Sequence, residues 1–272
     1  MITIEIMGGL GNQLFQIFTL LSYSLTNKIP FYFENKRTIN INRPFYWNNL
    51  LSSLSIFIKE PINLPIYKES GIHYSQIPYC EHFKLFGYFQ SYKYFIENTC
   101  AITRLLKIKE SQDLIVGDYS NKVSLHFRIG DYKNLQKYHP LLTVDYYKKA
   151  LNKLLEDTKK TDWCILYFYE KDDINAVESI INELKGIFTD LHFESISHNV
   201  IDWEQMLMMS KCQHNIIANS SFSWWGSYLN INNNNTYYPS VWFGPDAGYK
   251  NTNDMYPDSW TKILSETHQA VP

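Results

Sequence analysis

Cysteine is scarce and badly placed for chemistry. The four in 272 residues, Cys80, Cys100, Cys164 and Cys212, form no CxxC pair. This spacing excludes a zinc ribbon and argues against a disulfide framework, so the thiols are expected to be buried and free in a reducing compartment. Long hydrophobic runs are also missing: no stretch reaches the ~18 apolar residues of a membrane-spanning helix. The chain opens on MITIEI, without the basic and apolar regions of a signal peptide. The expectation is a soluble, cytoplasmic protein. Charge of one sign is lacking too, since 25 Lys and Arg against 27 Asp and Glu leave a net −2. That balance speaks against a nucleic-acid-coating surface and a polybasic membrane anchor. There is no GxSxG elbow and no Walker A loop. Asp172 and Asp173 are adjacent rather than a DxD, and the histidines are scattered, so no metal site is expected.

What is present is a core and a recurring order of elements. Hydrophobic residues make up 45% of the chain, enough for one large domain or two ordinary ones. Residues 2–6 alternate like a strand, MGGLGNQ at 7–13 is a glycine-rich turn, residues 14–25 carry apolar side chains at helical spacing, and 30–33 read as a second strand. That order opens a parallel α/β domain. The turn is no dinucleotide fingerprint, because Leu14 stands where GxGxxG needs its third glycine. The amides of Asn12 and Gln13, with the free N–H groups of the first helical turn, suit a polar or anionic ligand. Asn12 as a plain N-cap is the competing explanation. Lys36, Arg37 and the prolines at 44, 61, 65 and 78 suggest loops and short elements over 36–80. FKLFGYFQ at 83–90 is a strand candidate ending at Gln90, and Ser91 can cap a helix running towards Leu106.

A polar stretch at 107–122 reads as a domain boundary. Beyond it, strands at 123–127, 163–169, 191–196 and 214–218 alternate with helices at 144–155, 173–184 and 202–209. A segment at 237–243 precedes DMYP and an expected helix around Trp260 that could pack back onto the first domain. In VSLHFRIGDY at 123–132, alternation puts His126 and Arg128 on one face and Phe127 and Ile129 on the other. Asp131 then lies just past the strand's C-terminal end, where open α/β sheets bind ligands. Either an Arg–Asp pair closes the strand, or the guanidinium fork holds an anion such as phosphate. In ANSSFSWWG at 218–226, Asn219, Ser220, Ser221 and Ser223 form a helix N-terminus whose hydroxyls, N–H groups and dipole suit a pyrophosphate. The paired tryptophans read as core.

Five segments in order, GGLGNQLFQ, GYFQSYKYF, HFRIGDY, ANSSFSWWG and PSVWFG with DMYPDSW, resemble the α-1,2-fucosyltransferases of glycosyltransferase family 11. The resemblance implies a GT-B-type α/β enzyme of two Rossmann-like domains facing a cleft. Residues 1–115, with the GGLGNQ loop, would serve the acceptor side, and 120–272 would hold the GDP-sugar. It further implies inverting transfer of L-fucose from GDP-β-L-fucose to the 2-hydroxyl of an acceptor sugar, in glycan or polysaccharide synthesis, with no metal or other cofactor. The implied partners are a GDP-sugar donor and a carbohydrate acceptor, not nucleic acid. HFRIGDY corresponds to the HxRRxD motif, whose first Arg binds pyrophosphate; that role passes to Arg128. Ile129 stands in place of the second.

Donor-binding candidates are thus Gly9, Gly11, Asn12, His126, Arg128, Asn219, Ser220, Ser221 and Ser223, with Gln90, Ser91 and His139 on the acceptor side or the cleft. Departure of GDP builds negative charge on the β-phosphate, and a buried Arg can stabilise it. Arg128, Asp131 and Asn12 are the catalytic candidates. Asp131 is the nearest candidate base, with His126 and His139 as alternatives, and it could instead orient Arg128. Phosphate-binding motifs touch the leaving group, so transfer of another GDP-deoxyhexose such as rhamnose, or a catalytically inert sugar- or nucleotide-binding role, stays open alongside. The acceptor is not specified.

Overall fold

The computed structural model describes residues 1–36, 43–232, 234–248 and 250–265. Arg37 and residues 266–272 lie outside the described residues. The chain forms two compact units, one of Met1–Leu114 with Lys250–Pro257, the other of Ile115–Tyr249 with the chain from Asp258.

The first unit holds β1 (Ile2–Ile4), α1 (Leu10–Asn27), β2 (Phe33–Glu34), β3 (Ile58–Lys59), β4 (Ile66–Lys68), β5 (Phe83–Phe86), α2 (Thr99–Leu105) and α3 (Ile108–Asp113). Every strand pairing is parallel: β1, β5 and β4 form one sheet, β2 and β3 a pair, and an Ile2–Phe31 bridge brings that pair beside β1. The resulting order β3-β2-β1-β5-β4 reverses between β1 and β5. Helix α1 begins at Leu10, ahead of the apolar run that marks it in the sequence, because the backbone of Gly9 supplies the N-cap. Asn12 is therefore inside the first turn and is not the cap. Ser91 caps only a 3-10 turn, Tyr92–Tyr94; Phe95 then turns out of helical backbone (φ −141°), and the helix towards Leu106 starts at Thr99.

The second unit continues with β6 (Lys122–His126), α4 (Val144–Thr158), β7 (Cys164–Phe168), α5 (Ile174–Ile187), β8 (His192–Ser195), α6 (Asp202–Lys211), β9 (His214–Ile216), α7 (Ser221–Tyr228), β10 (Thr236–Pro239) and β11 (Thr261–Ile263). Its six strands are all parallel in the order β11-β10-β9-β6-β7-β8. The chain starts in mid-sheet, builds out to β8, and returns to the other side of β6, so the order reverses between β6 and β9. Register there sets Leu125 opposite Ile216.

Alternation along β6 distributes its side chains as expected. Val123, Leu125 and Phe127 join Tyr146, Tyr147 and Leu151 of α4 and Val177 and Ile181 of α5 in one core. Ser124 and His126 point to the face of α6 and α7, where the His126 ring lies 5.6 Å from Phe222. Trp224 and Trp225 are fully buried core.

Two expectations are corrected. The segment after Trp260 is not a helix but strand β11, parallel to β10 with Lys262 opposite Tyr238. Its β-branched Thr261 and Ile263 suit an edge strand, and so short a segment cannot nucleate a helix. The part that returns to the first unit is Lys250–Pro257, where Asp254 pairs with Lys93 and accepts from Tyr74 N (3.2 Å) and, through its backbone carbonyl, from Ser91 Oγ (2.5 Å). The cysteines are free, but only Cys212 is buried; Cys80 and Cys100 are exposed on a loop and a short helix. Among the described residues, no helix is long and apolar enough to cross a membrane.

Polar groups buried under the second sheet are matched to one another. Asn215 donates to Ser124 Oγ (2.6 Å) and Met209 O (2.9 Å) while its Oδ1 accepts from Asn230 and Asn234 (2.7 Å each). The asparagine-rich stretch after α7 is thus a hydrogen-bonded plug and not a featureless linker. Replacing Asn215 by Ala strands several buried partners, each costing ~1–3 kcal/mol. Urea unfolding is expected to show a loss of about 3 kcal/mol for Asn215→Ala; a loss below ~1 kcal/mol would show the network to be dispensable. His126 behaves differently: burial first, then the Arg128 charge, push its pKa down to about 3. It is neutral when folded but protonates near 6.5 when unfolded, so the unfolded state takes up the extra proton and stability falls as pH drops below 6.5. Between pH 7 and 5 this amounts to about 2 kcal/mol. His126→Gln is expected to flatten the pH dependence of urea unfolding by about that amount, and an unchanged slope would contradict a neutral buried ring.

Candidate active site

The loops that follow β6 and β9 leave the second sheet on either side of its order reversal, the place where an open parallel sheet offers a ligand crevice. Arg128 stands there, two residues beyond His126 and the end of β6. Its side chain is 16% exposed. The guanidinium is engaged at both terminal nitrogens, Nη1 by Glu170 and Nη2 by Asp131, and lies over the Tyr132 ring at 4.8 Å. Burial disfavours the guanidinium charge, but Glu170, Tyr132 and Asp131 more than offset this, and its pKa is raised. Both carboxylates are more than half exposed, so each pair contributes only ~0.2–1 kcal/mol and acts mainly on orientation.

The turn after β7 braces this loop a second time. Asp173, buried, accepts from Gly130 N (2.7 Å) and pairs with Lys133 Nζ (2.7 Å). Gly130 is needed at this point: its φ is +27°, and a Cβ would lie 2.6 Å from Glu170 Oε2. On the far side of Tyr132, His139 stacks at 4.6 Å and 18°, and Phe243 lies 5.9 Å from the His139 ring. The His139 pKa is lowered: burial dominates, and Asp131, which favours the proton, does not outweigh burial and Arg128 together.

Across the reversal, Ser220 caps α7 by accepting from Phe222 N (3.3 Å). The first intrahelical bond is Trp224 N to Ser220 O (3.0 Å), so the amides of half-buried Ser221 and of Ser223 precede it, at the positive end of the helix dipole. Asn219 is turned inward, donating to Pro140 O (2.9 Å) and Trp242 O (3.4 Å), and Tyr132 Oη reaches its backbone carbonyl (3.3 Å). Ser223 Oγ is also buried and donates to Ser220 O (3.4 Å).

In the first unit the loops after β1 and β5 meet in the same topological way. Gln90 Nε2 donates to Asn12 Oδ1 (2.8 Å), joining the two motifs. Gly8, at φ +75°, permits this, since a Cβ there would sit 2.6 Å from Asn12 Nδ2. A Cβ on Gly9 would meet nothing within 4 Å, and Gly11 is buried in the first turn of α1. Gln13 is fully buried, donating to Gly8 O (3.1 Å) and Pro44 O (2.9 Å). Ser91 is spent on Asp254. Glu69 holds the loop after β5 by accepting from Tyr88 N (2.8 Å) and Phe89 N (3.0 Å), with Phe89 in left-handed backbone.

The structure therefore brings Arg128, Asp131, His126 and His139 together with the Ser220–Ser221 helix start, and separately joins Asn12 to Gln90. Sequence reasoning missed Tyr132, Glu170, Asp173, Lys133 and Gly8. Asp173 figures in the sequence only beside Asp172 as a pair that is no DxD, and Glu170 carries no signal until the register of β6 and β7 sets the two loops side by side. Among the described residues, no group of three His, Cys, Asp or Glu side chains is placed to hold a metal ion.

An "O-antigen biosynthesis glycosyltransferase WbnK" of Escherichia coli is 32% identical over 173 residues, 58% of this chain and 55% of that protein. An "Alpha-1,2-colitosyltransferase" of Escherichia coli is 33% identical over 168 residues, with the same shares. The chain spans about half the length of these two relatives. A "Galactoside 2-alpha-L-fucosyltransferase" of Caenorhabditis elegans is 27% identical over 289 aligned positions, 89% of this chain and 72% of that protein. A solved structure of a mutant Arabidopsis thaliana FUT1 in complex with GDP aligns over 96% of this chain and 75% of that one, at 12% identity and a TM-score of 0.46. The pattern described as Glycosyl transferase family 11 matches residues 65–264, well over half the chain. The chain belongs to glycosyl transferase family 11.

Proposed function

We propose that this glycosyltransferase moves L-fucose from GDP-β-L-fucose to the 2-hydroxyl of an acceptor sugar, inverting the donor to an α-linkage, in glycan or polysaccharide synthesis. The observation that carries this is Arg128, an oriented, largely buried guanidinium at the second sheet's order reversal, lying over Tyr132, whose hydroxyl reaches Asn219 O just before α7. As the acceptor oxygen bonds to C1, the bond from C1 to the phosphate oxygen breaks and its electron pair collects on the β-phosphate. Arg128 with the α7 amides takes up that charge, in the place a metal ion would occupy in other transferases. In the first unit, Gln90 orders the amide of Asn12, the candidate there for a polar ligand contact.

Two relatives support the linkage: their names share attachment at position 2 while differing in the sugar, colitose in one and L-fucose in the other. The colitosyl relative therefore favours a second reading in which the linkage is kept and the donor sugar is colitose. Incubating the protein with GDP-L-fucose, other GDP-deoxyhexoses and a panel of galactosides, followed by NMR of the product, distinguishes them. An α-1,2-linked fucoside is expected; no GDP release above background from GDP-fucose would sink the first reading. Arg128→Ala is expected to lower turnover by ~10²–10³-fold and to weaken GDP binding by about tenfold or more. The fold should survive, because Glu170 and Asp131 are exposed enough to be hydrated once unpaired. Near-native transfer by this variant would remove Arg128 from the mechanism.

A further inference from the structure

Arg128 has two carboxylates where a phosphate would need its fork. With Glu170 on Nη1 and Asp131 on Nη2 the local sum is one negative charge, which repels an anion. The guanidinium keeps further N–H donors, but a phosphate meets its fork free of a like charge at that nitrogen only where one carboxylate yields.

The two are not equally free to yield. Glu170 belongs to a turn fastened independently of Arg128. Its backbone carbonyl accepts from Asp173 N (2.8 Å), and Asp173 is tied to Gly130 N and Lys133. The Glu170 carboxylate also lies against the Gly130 backbone, in the space a Cβ would fill. Asp131 is 53% exposed and sits in a short 3-10 turn, Gly130–Asn134, with Arg128 as the ion-pair partner of its carboxylate.

We propose that Asp131 is a displaceable stand-in for the donor's phosphate on Arg128, and that donor binding converts it into the general base. This rests on the assignment of Arg128 to the donor phosphate. Glu170 is the positioning residue: it keeps Nη1 and thereby aims Nη2 at the incoming phosphate. The phosphate takes Nη2, and the Asp131 carboxylate is released from its ion pair, its oxygens free to accept a hydrogen bond. It then accepts the acceptor hydroxyl proton as the new C1–O bond forms and the C1–O bond to phosphate breaks, the electron pair leaving on the β-phosphate held by Arg128. The base is thus armed only when the donor is in place.

Asp131→Asn, Asp131→Glu and Glu170→Gln separate this from a merely structural pair, with GDP as the calorimetric probe and GDP-fucose in the kinetics. Asp131→Asn is expected to bind GDP about fivefold more tightly, the equivalent of one exposed ion pair. Its KM for the donor should fall, with kcat down ~100-fold or more. Asp131→Glu should recover much of both wild-type values, and Glu170→Gln should weaken GDP binding. If wild type binds GDP and Asp131→Asn binds it no more tightly, or keeps near-native kcat, this inference falls alone. If wild type binds no GDP, the donor assignment falls and takes the inference with it.

Discussion

The reversal of strand order in a wholly parallel sheet is the constraint on which the site depends. A parallel strand needs a crossover to reach its neighbour, and after β1, β7 and β9 that crossover begins with a helix starting within a few residues of the strand's C-terminal end. Where β6 and β9 adjoin but their crossovers depart to opposite faces, the loops diverge and a helix N-terminus is left facing the gap. The first unit repeats the arrangement between β1 and β5, with α1 entering directly from the glycine turn. Within β6, Val123 to His126 are buried, so freedom to carry charge begins only past its C-terminal end, with Arg128.

Charge balance around Arg128 follows from that placement. At ~5 Å and an effective dielectric constant of about 20, a phosphate and a retained carboxylate would repel by about 3 kcal/mol. An exposed ion pair holds only ~0.2–1 kcal/mol, so under the proposed donor assignment an exposed pair gives way before the phosphate does. Asp173, by contrast, is almost fully buried and also caps a backbone amide. Removing its partner would leave a stranded charge, which makes it a brace and not a switch. The loop after β6 thus carries one guanidinium and an exposed acid, and the turn after β7 supplies a buried acid as its brace.

Much of the second unit was legible because its strands and helices are long enough to show their period. The alternation of β6 separated Ser124, His126 and Arg128 from Val123, Leu125, Phe127 and Ile129, and the structure keeps that separation. The N-cap role of Ser220 was visible in the Asn–Ser run. Strand β2 lies at the end of the strand expected over 30–33, whereas β3 and β4 were not visible, since two or three residues cannot display alternation and their pairing is decided by partners far along the chain. Strand β11 failed for the same reason. Glu170 and Asp173 were illegible as site residues because the register of β6 and β7, with His126 opposite Phe168, carries the meaning and no local pattern does. The inward turns of Asn219 and Ser91 are likewise set by Pro140, Trp242 and Asp254, which are remote in sequence.

Ile129 connects these points. The HxRRxD pattern asks for a second arginine there, yet alternation places residue 129 on the α4 side of the chain, where Ile129 is buried with Phe127, Tyr147 and Tyr167. A guanidinium at that position would need burial of its charge, at several kcal/mol, or a partner beneath the loop. With isoleucine the loop gains apolar packing and carries Arg128 as its one guanidinium. A lone long side chain has many rotamers, and its usefulness depends on being held in one of them. Tyr132 beneath the guanidinium and Glu170 at Nη1 do this. The missing second arginine and the bracing carboxylate are two sides of one arrangement.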